Sequence, residues 1–286
     1  MGSQTPVWFI SAASSGFGKY TALEALENGH RVIATARNSS KLSDLKDKGA
    51  ITLDLDVVQP VSEIEAVVKQ AHETYGRLDY LVNPPGFVLE GALEESSAEE
   101  VEQSFKVNVF GVLKLTNAVL PYMRAQKSGV VAHFGSIGSW RGVPAGGVYC
   151  STKWAVSGLT ESLRLEVKDF GIKVTVVEPG YFRTGFLNPG ARIFTQKNIK
   201  DYDDTAVGQV KKLFSERDNK QLGDIEKGCR VMFEVMTQKH GKDIPERLPL
   251  GTDAFDGIGG KIDETRKLLD EWKDVIVSTD SDEKFY

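Results

Sequence analysis

Short runs of Val, Ile, Leu and Ala recur along the chain with polar-faced stretches between them. VWFISA (7–12), RVIATA (31–36), ITLDLD (51–56), LDYLVN (78–83), GVVAHF (129–134) and KVTVVE (173–178) are mostly apolar and rich in β-branched residues. That is the pattern of strands covered on both faces. Between them, 17–28, 61–75, 98–126 and 149–170 carry apolar positions at helical spacing. Strand and helix alternate as repeated βαβαβ, which predicts an α/β fold: a doubly wound parallel sheet of about seven strands with helices on both faces. A ligand crevice is expected beyond the carboxyl ends of the strands.

Past Gly180 the pattern loosens. Residues 185–224 mix Pro189, Gly190 and Gly208 with an acidic tract at 201–204. A helix-like segment follows at 225–238, then ERLPLG (246–251) as a last strand and an amphipathic helix over 253–272. The polar tail, 273–286, is expected to fray. Repeats, low-complexity stretches and an interdomain linker are not evident. The chain therefore reads as one domain, 1–286, with 185–245 as a substrate loop or lid within it.

Composition narrows the class. The 286 residues are 41% hydrophobic and 26% charged, enough apolar content for a large core. Thirty-five basic against 40 acidic residues leave a net charge of −5, which attracts neither nucleic acid nor anionic lipid. Cys150 and Cys229 are too few for a disulfide framework. Apolar runs fall short of the roughly 20 residues a membrane helix needs, and the first strand has no leader-like segment before it. A cytoplasmic protein is the expectation. The sequon at Asn38 is then a chance match, and His30, His72, His133 and His240 lack metal-ligand spacing, so no metal is expected.

Chemistry first shows in ISAASSGFGKY (10–20), which lies between the first strand and the first helix. Gly16 and Gly18 suit a phosphate-cradling turn: Gly16 allows a cofactor close to the backbone, and Gly18 allows the helix to pack tightly. The amino end of the helix offers free N–H groups and partial positive charge to a pyrophosphate. Ser11, Ala12, Ser14, Ser15 and Phe17 complete the turn, in the context of a Rossmann-like dinucleotide site. Ala12 stands where such turns place their first glycine, and negative φ is expected there, with the methyl merely crowding. Between Asn28 and Ser43 there is no acidic residue to hold a ribose 2′-hydroxyl; Arg37 stands at the end of the second strand instead. A guanidinium suits a 2′-phosphate, so NADP(H) is expected over NAD(H).

VYCSTKWAV places Tyr149 and Lys153 four residues apart, on one face of a helix. Bringing a phenol from pKa 10 to near neutrality takes about 4 kcal/mol, and a neighbouring ammonium can supply much of it. Ser136 ends a strand at the crevice rim, and Asn108, inside the preceding helix, wants a polar partner. Together with LDV (55–57) and EPGYFRT (178–184), these motifs make residues 5–185 resemble the short-chain dehydrogenase/reductase family, in its compact single-domain branch. RLPLGTDA (247–254) resembles a subgroup with extended carboxyl-terminal regions.

The resemblance implies a set of roles. Tyr149 would exchange a proton with the carbonyl or alcohol oxygen, and Ser136 would hydrogen-bond the same oxygen. Lys153 would lower the Tyr149 pKa and hold the nicotinamide ribose, and Asn108 would offer its backbone carbonyl to a proton-relay water. Asp56 and Val57 would bracket the adenine, with Asn83 and Gly86 lining the cofactor site. Pro179, Gly180, Phe182 and Thr184 would hold the nicotinamide end. Homodimers or homotetramers through the helices at 98–126 and 149–170 are implied as well.

Two departures from the family pattern fall on the cofactor side: Ala12, and NPPG (83–86), where the family usually has Asn-Asn-Ala-Gly. Phe87, Trp140, Val143, Tyr181 and Phe186, with Phe194 in the lid, are candidates for an apolar substrate wall. The expected activity is NADPH-dependent hydride transfer to a largely apolar ketone, or from the corresponding secondary alcohol. The alternative is a non-redox protein on the same scaffold, either a cofactor-binding regulator or an isomerase or cyclase.

Overall fold

The computed structural model describes residues 5–185, 191–217 and 220–281. Among these the strands are β1 (Val7–Ile10), β2 (Arg31–Ala36), β3 (Ile51–Asp54), β4 (Tyr80–Asn83), β5 (Val88–Glu90), β6 (Gly129–Phe134), β7 (Ile172–Pro179), β8 (Arg192–Phe194) and β9 (Arg247–Leu250). The helices are α1 (Gly16–Glu27), α2 (Ser43–Asp47), α3 (Val61–Tyr75), α4 (Ala98–Phe105), α5 (Val112–Gln126), α6 (Gly147–Val167), α7 (Ala206–Arg217), α8 (Ile225–Met236), α9 (Thr252–Glu271) and α10 (Lys273–Val277).

Seven strands form one parallel sheet in the order β3-β2-β1-β4-β6-β7-β9. The order reverses between β1 and β4, and a crevice opens there at the carboxyl ends. The apolar runs are explained by two cores, one on each face. Trp8, Ile10, Val32 and Ala34 face one core, with Ala22 and Phe233 from α1 and α8. Phe9, Ile33, Val131 and Val174 face the other, with Val68 and Leu115 from α3 and α5. Successive residues point to opposite faces, so both must be apolar. Pro249 sits in β9, at the sheet edge, where its missing N–H costs no ladder bond.

Three details differ from the pattern in the sequence. β1 stops at Ile10, and Ser11 and Ala12 already belong to the turn. The helical run over 98–126 widens into a π-turn at Lys106–Gly111 between α4 and α5. The loosely patterned stretch after Gly185 contains β8 and α7; β8 pairs with β5 in a second, two-stranded parallel sheet. Beyond α9 the chain forms α10, whose side chains are all exposed. No helix among the described residues is long and apolar enough to cross a membrane.

Candidate active site

The crevice is a cavity of about 230 Å³ whose lining includes the α1 turn and Phe214 of α7. At the turn, Ser11 donates its backbone N–H to Val82 O (3.0 Å) and Ala13 donates to Thr35 O (2.8 Å), tying the loop to β4 and β2. These bonds hold Ala12 at φ +48°, which corrects the expectation of negative φ. The backbone here must reverse sharply to let α1 begin under the loop, and that geometry overrides the preference of a methyl-bearing residue. Gly16 follows at φ +52°. A Cβ at Gly18 would stand 2.6 Å from Ala12 O, so only glycine lets the helix approach so closely. Ser15 is the N-cap but makes no capping hydrogen bond with its side chain, which leaves the amino end of α1 unspent on the protein itself.

Ser11 and Asn83 are fully buried and bonded to each other, Oγ donating to Oδ1 at 2.7 Å; Asn83 Nδ2 donates to Val112 O (3.1 Å). Their side chains knit β1, β4 and α5 under the crevice floor. Pro84, Pro85 and Gly86 form the wall above. A Cβ at Gly86 would stand in ordinary contact with Asn108 Oδ1 and Lys153 Nζ, both at 3.4 Å, so this residue borders both side chains. Arg37, Asp56 and Val57 are absent from the cavity lining and lie just past the carboxyl ends of β2 and β3; Arg37 is exposed, whereas Val57 is buried in the core beside α3 and α5.

Ser136 follows β6 and caps a single helical turn, its Oγ accepting from Gly138 N–H (3.1 Å) while Ser139 Oγ accepts from its own N–H (3.1 Å). Ser139 Oγ in turn donates to Lys153 O (3.0 Å), locking this turn onto α6. The Ser136 hydroxyl also hydrogen-bonds Tyr149, which enters the cavity from the first turn of α6. Burial pushes the Tyr149 phenol well above its usual range, and the Ser136 bond opposes that only in part. Lys153 is buried and donates from Nζ to Phe134 O (2.8 Å), with Nζ 5.7 Å from the centroid of the Tyr149 ring. Burial brings its ammonium down to about 8.

Asn108 sits in the π-turn and is fully satisfied: Nδ2 donates to Phe87 O (3.0 Å) and Thr152 Oγ1 (3.1 Å), and Oδ1 accepts from Phe87 N–H (3.1 Å). The turn thus clamps the strand after the prolines onto α6. Such π-turns are frequent at functional sites.

The substrate-wall candidates divide. Val143 and Tyr181 line the cavity. Phe87 lies instead in a separate surface depression with Leu89 and Ile193, because its backbone is held by Asn108. Trp140 turns away to donate Nε1–H to Glu178 Oε2 (2.7 Å) beneath the Arg247 guanidinium, a network that steadies the end of β7. Phe194 is exposed under Arg192. Phe186, like Pro189 and Gly190, lies outside the described residues.

Pro179, Gly180, Phe182 and Thr184 all line the cavity, and Gly180 lies so close to Asp253 of α9 that a Cβ would overlap the carboxylate. Asp253 Oδ2 accepts from Tyr181 N–H (2.7 Å), so the amino end of α9 fixes this segment.

Residues that the sequence reading did not single out also line the site: Phe134, Cys150, Phe214 and Gln221. Phe214 is carried by α7, which is held down by charge. Arg192 grips Glu90 through Nε–Oε2 (2.6 Å) and Nη2–Oε1 (2.9 Å) and reaches Ser215 Oγ (3.2 Å), while Lys211 pairs with buried Glu95 (2.9 Å). Both carboxylates are fully enclosed, so these bonds are what permits their burial. Isolated charged residues in an irregular stretch gave no sequence signal for this network.

Space and donors together decide whether a dinucleotide fits. A positive-φ turn, a glycine approach that any Cβ would block, an uncapped helix start and a buried lysine beside the Pro179 segment do fit one.

Comparison with known proteins agrees. The model for short chain dehydrogenases matches residues 6–191. An oxidoreductase of Botryotinia fuckeliana, BOA17, is 32% identical over 280 residues, covering 96% of this chain and 99% of its own. A 3-ketodihydrosphingosine reductase of Bacteroides thetaiotaomicron is 39% identical over 218 residues, covering 76% of this chain and 78% of its own. The crystal structure of a short-chain dehydrogenase from Streptomyces avermitilis superposes with a TM-score of 0.88 at 37% identity, over 97% of this chain and all of that one. The chain belongs to the short-chain dehydrogenase/reductase family of oxidoreductases.

Proposed function

We propose that this protein is an NADPH-dependent reductase of largely apolar ketones, acting on the corresponding secondary alcohols in reverse. The observation that carries the reading is the meeting of Ser136, Tyr149 and Lys153 in one apolar-walled cavity with the α1 turn. The relative from B. thetaiotaomicron, named as the reductase of a keto compound, supports the direction.

The turn at 12–18 and the amino end of α1 would hold the pyrophosphate, Arg37 the 2′-phosphate, and Asp56 with Val57 the adenine. Lys153 would take the nicotinamide ribose, and Pro179, Gly180, Phe182 and Thr184 the carboxamide end. When bound, the nicotinamide supplies the hydride. Ser136 Oγ donates a hydrogen bond to the carbonyl oxygen and steadies the charge that grows there. Tyr149 then gives its proton to that oxygen, leaving a phenolate. Its raised pKa keeps the phenol protonated at neutral pH, which is the form needed to donate. The Lys153 ammonium, with its pKa brought to about 8, is charged at neutral pH and balances the phenolate. Exposed Phe110, Leu113, Trp154 and Leu165 on the long helices support pairing of copies through that face.

Titration with NADPH and NADH, followed by nicotinamide fluorescence, tests the cofactor assignment. NADPH is expected to bind about tenfold tighter or better, and Arg37→Asp to reverse the order. Equal affinities in the wild type would remove Arg37 from the account. A broad panel of ketones that leaves bound NADPH unconsumed would remove the reductase reading.

A further inference from the structure

Gln221 lies in the connection between α7 and α8 and is only 8% exposed, while its neighbour Leu222 is 78% exposed. Polar side in and apolar side out reverses the ordinary arrangement. The backbone enforces the reversal. Gly223 donates N–H to Tyr181 O (3.0 Å) and accepts from Arg183 N–H (3.1 Å), a parallel bridge beside Phe182. Gln221 is thereby set into the wall of the cavity that holds Tyr149.

Among the described residues, Gln221 Oε1 is the buried side-chain polar atom that has no hydrogen-bond partner. Such an atom has given up water without replacement. Exceptions of this kind call for a missing partner, and at a cavity wall a ligand can provide it. The rest of the described wall limits what that ligand is. It carries no Asp, Glu, Arg or His, and the one ammonium, on Lys153, is engaged with Phe134 O. A charged group on the substrate would therefore enter without a counter-ion, whereas a hydroxyl would find an amide ready to receive it.

We propose that Gln221 is a specificity residue whose carboxamide accepts a hydrogen bond from a substrate hydroxyl. The favoured substrates are then uncharged, largely apolar ketones that bear a hydroxyl away from the reacting carbonyl. This rests on the reductase reading. The same amide could instead meet the carboxamide of the nicotinamide, and the test separates the two partners.

The probes are benzylacetone and its para-hydroxy derivative, which differ by one hydroxyl at the end remote from the ketone. With NADPH, the wild type is expected to show kcat/KM about tenfold higher for the hydroxylated ketone. Gln221→Leu is expected to lose that ratio, and Gln221→Met, closer in shape, to lose it likewise. Melting temperatures of the enzyme with oxidised NADP+ and each ketone, a combination that cannot react, read the same preference without turnover. A wild type that treats the two ketones alike in both measurements overturns the proposal, as do variants that keep the ratio. Variants that weaken NADPH binding while the ratio persists assign the amide to the cofactor and overturn it too. A preference seen in melting with no NADPH consumed would sink the reductase reading and leave Gln221 in place.

Discussion

Ala12 holds φ +48° in the loop that opens α1, a region where a Cβ crowds the following carbonyl and costs roughly 1–2 kcal/mol. Its carbonyl oxygen is the atom that Gly18 approaches, so the strain buys a tight junction between loop and helix. Glycine would relieve the strain while enlarging the freedom of the unfolded chain, a partial offset of about 0.4–1 kcal/mol. Ala12→Gly is therefore expected to raise stability in urea unfolding by up to about 1 kcal/mol; a loss of that size would mean the methyl makes a contact that matters. The same scale explains what the sequence could not show. That Ala12 replaces a glycine is visible in the letters, but the sign of its φ depends on bonds from Ser11 to β4 and from Ala13 to β2, which are tertiary. Gln221 is one amide among many in the sequence, and only enclosure makes it informative.

At the scale of elements, the parallel strands were legible because burial on both faces leaves an uninterrupted apolar run, as in β1, β2 and β6. The second sheet was not. β5 and β8 are three residues each, and β8 begins with Arg192, whose burial depends on Glu90, 102 residues away. Local pattern carries no trace of such a pair. The π-turn was hidden for a related reason: an extra residue in a helical run leaves the apolar spacing nearly unchanged. His133 joins elements too. From β6 it lies between Thr116 Oγ1 of α5 (2.8 Å) and Thr160 Oγ1 of α6 (2.9 Å), and burial pushes its imidazole down to about 4. Between pH 6.5 and about 4 the unfolded chain binds a proton that the folded protein refuses, so stability falls as pH falls through this window. The gap corresponds to about 3 kcal/mol. Urea unfolding from pH 7 to 4 is expected to show that loss in the wild type and a flatter profile in His133→Gln; parallel profiles would mean the imidazole is charged in the folded state.

For the whole molecule, the reversal of strand order between β1 and β4 brings distant stretches of chain to one cavity. The α1 turn, Ser136 after β6, the first turn of α6 and the Pro179 segment after β7 all end at the same edge of the sheet. The Tyr149–Lys153 spacing and the order of motifs made this convergence readable, and a lid was expected within 185–245; that this region holds α7, with Phe214 on the cavity lining, had no signal in the letters. The central claim is that Tyr149 is the proton donor of a reductase working in that cavity. Single-turnover oxidation of bound NADPH by a reducible ketone, compared between wild type and Tyr149→Phe, tests it most directly. The rate is expected to fall about a thousandfold, with the NADPH dissociation constant within a few fold of wild type. A variant that oxidises NADPH at the wild-type rate would contradict it.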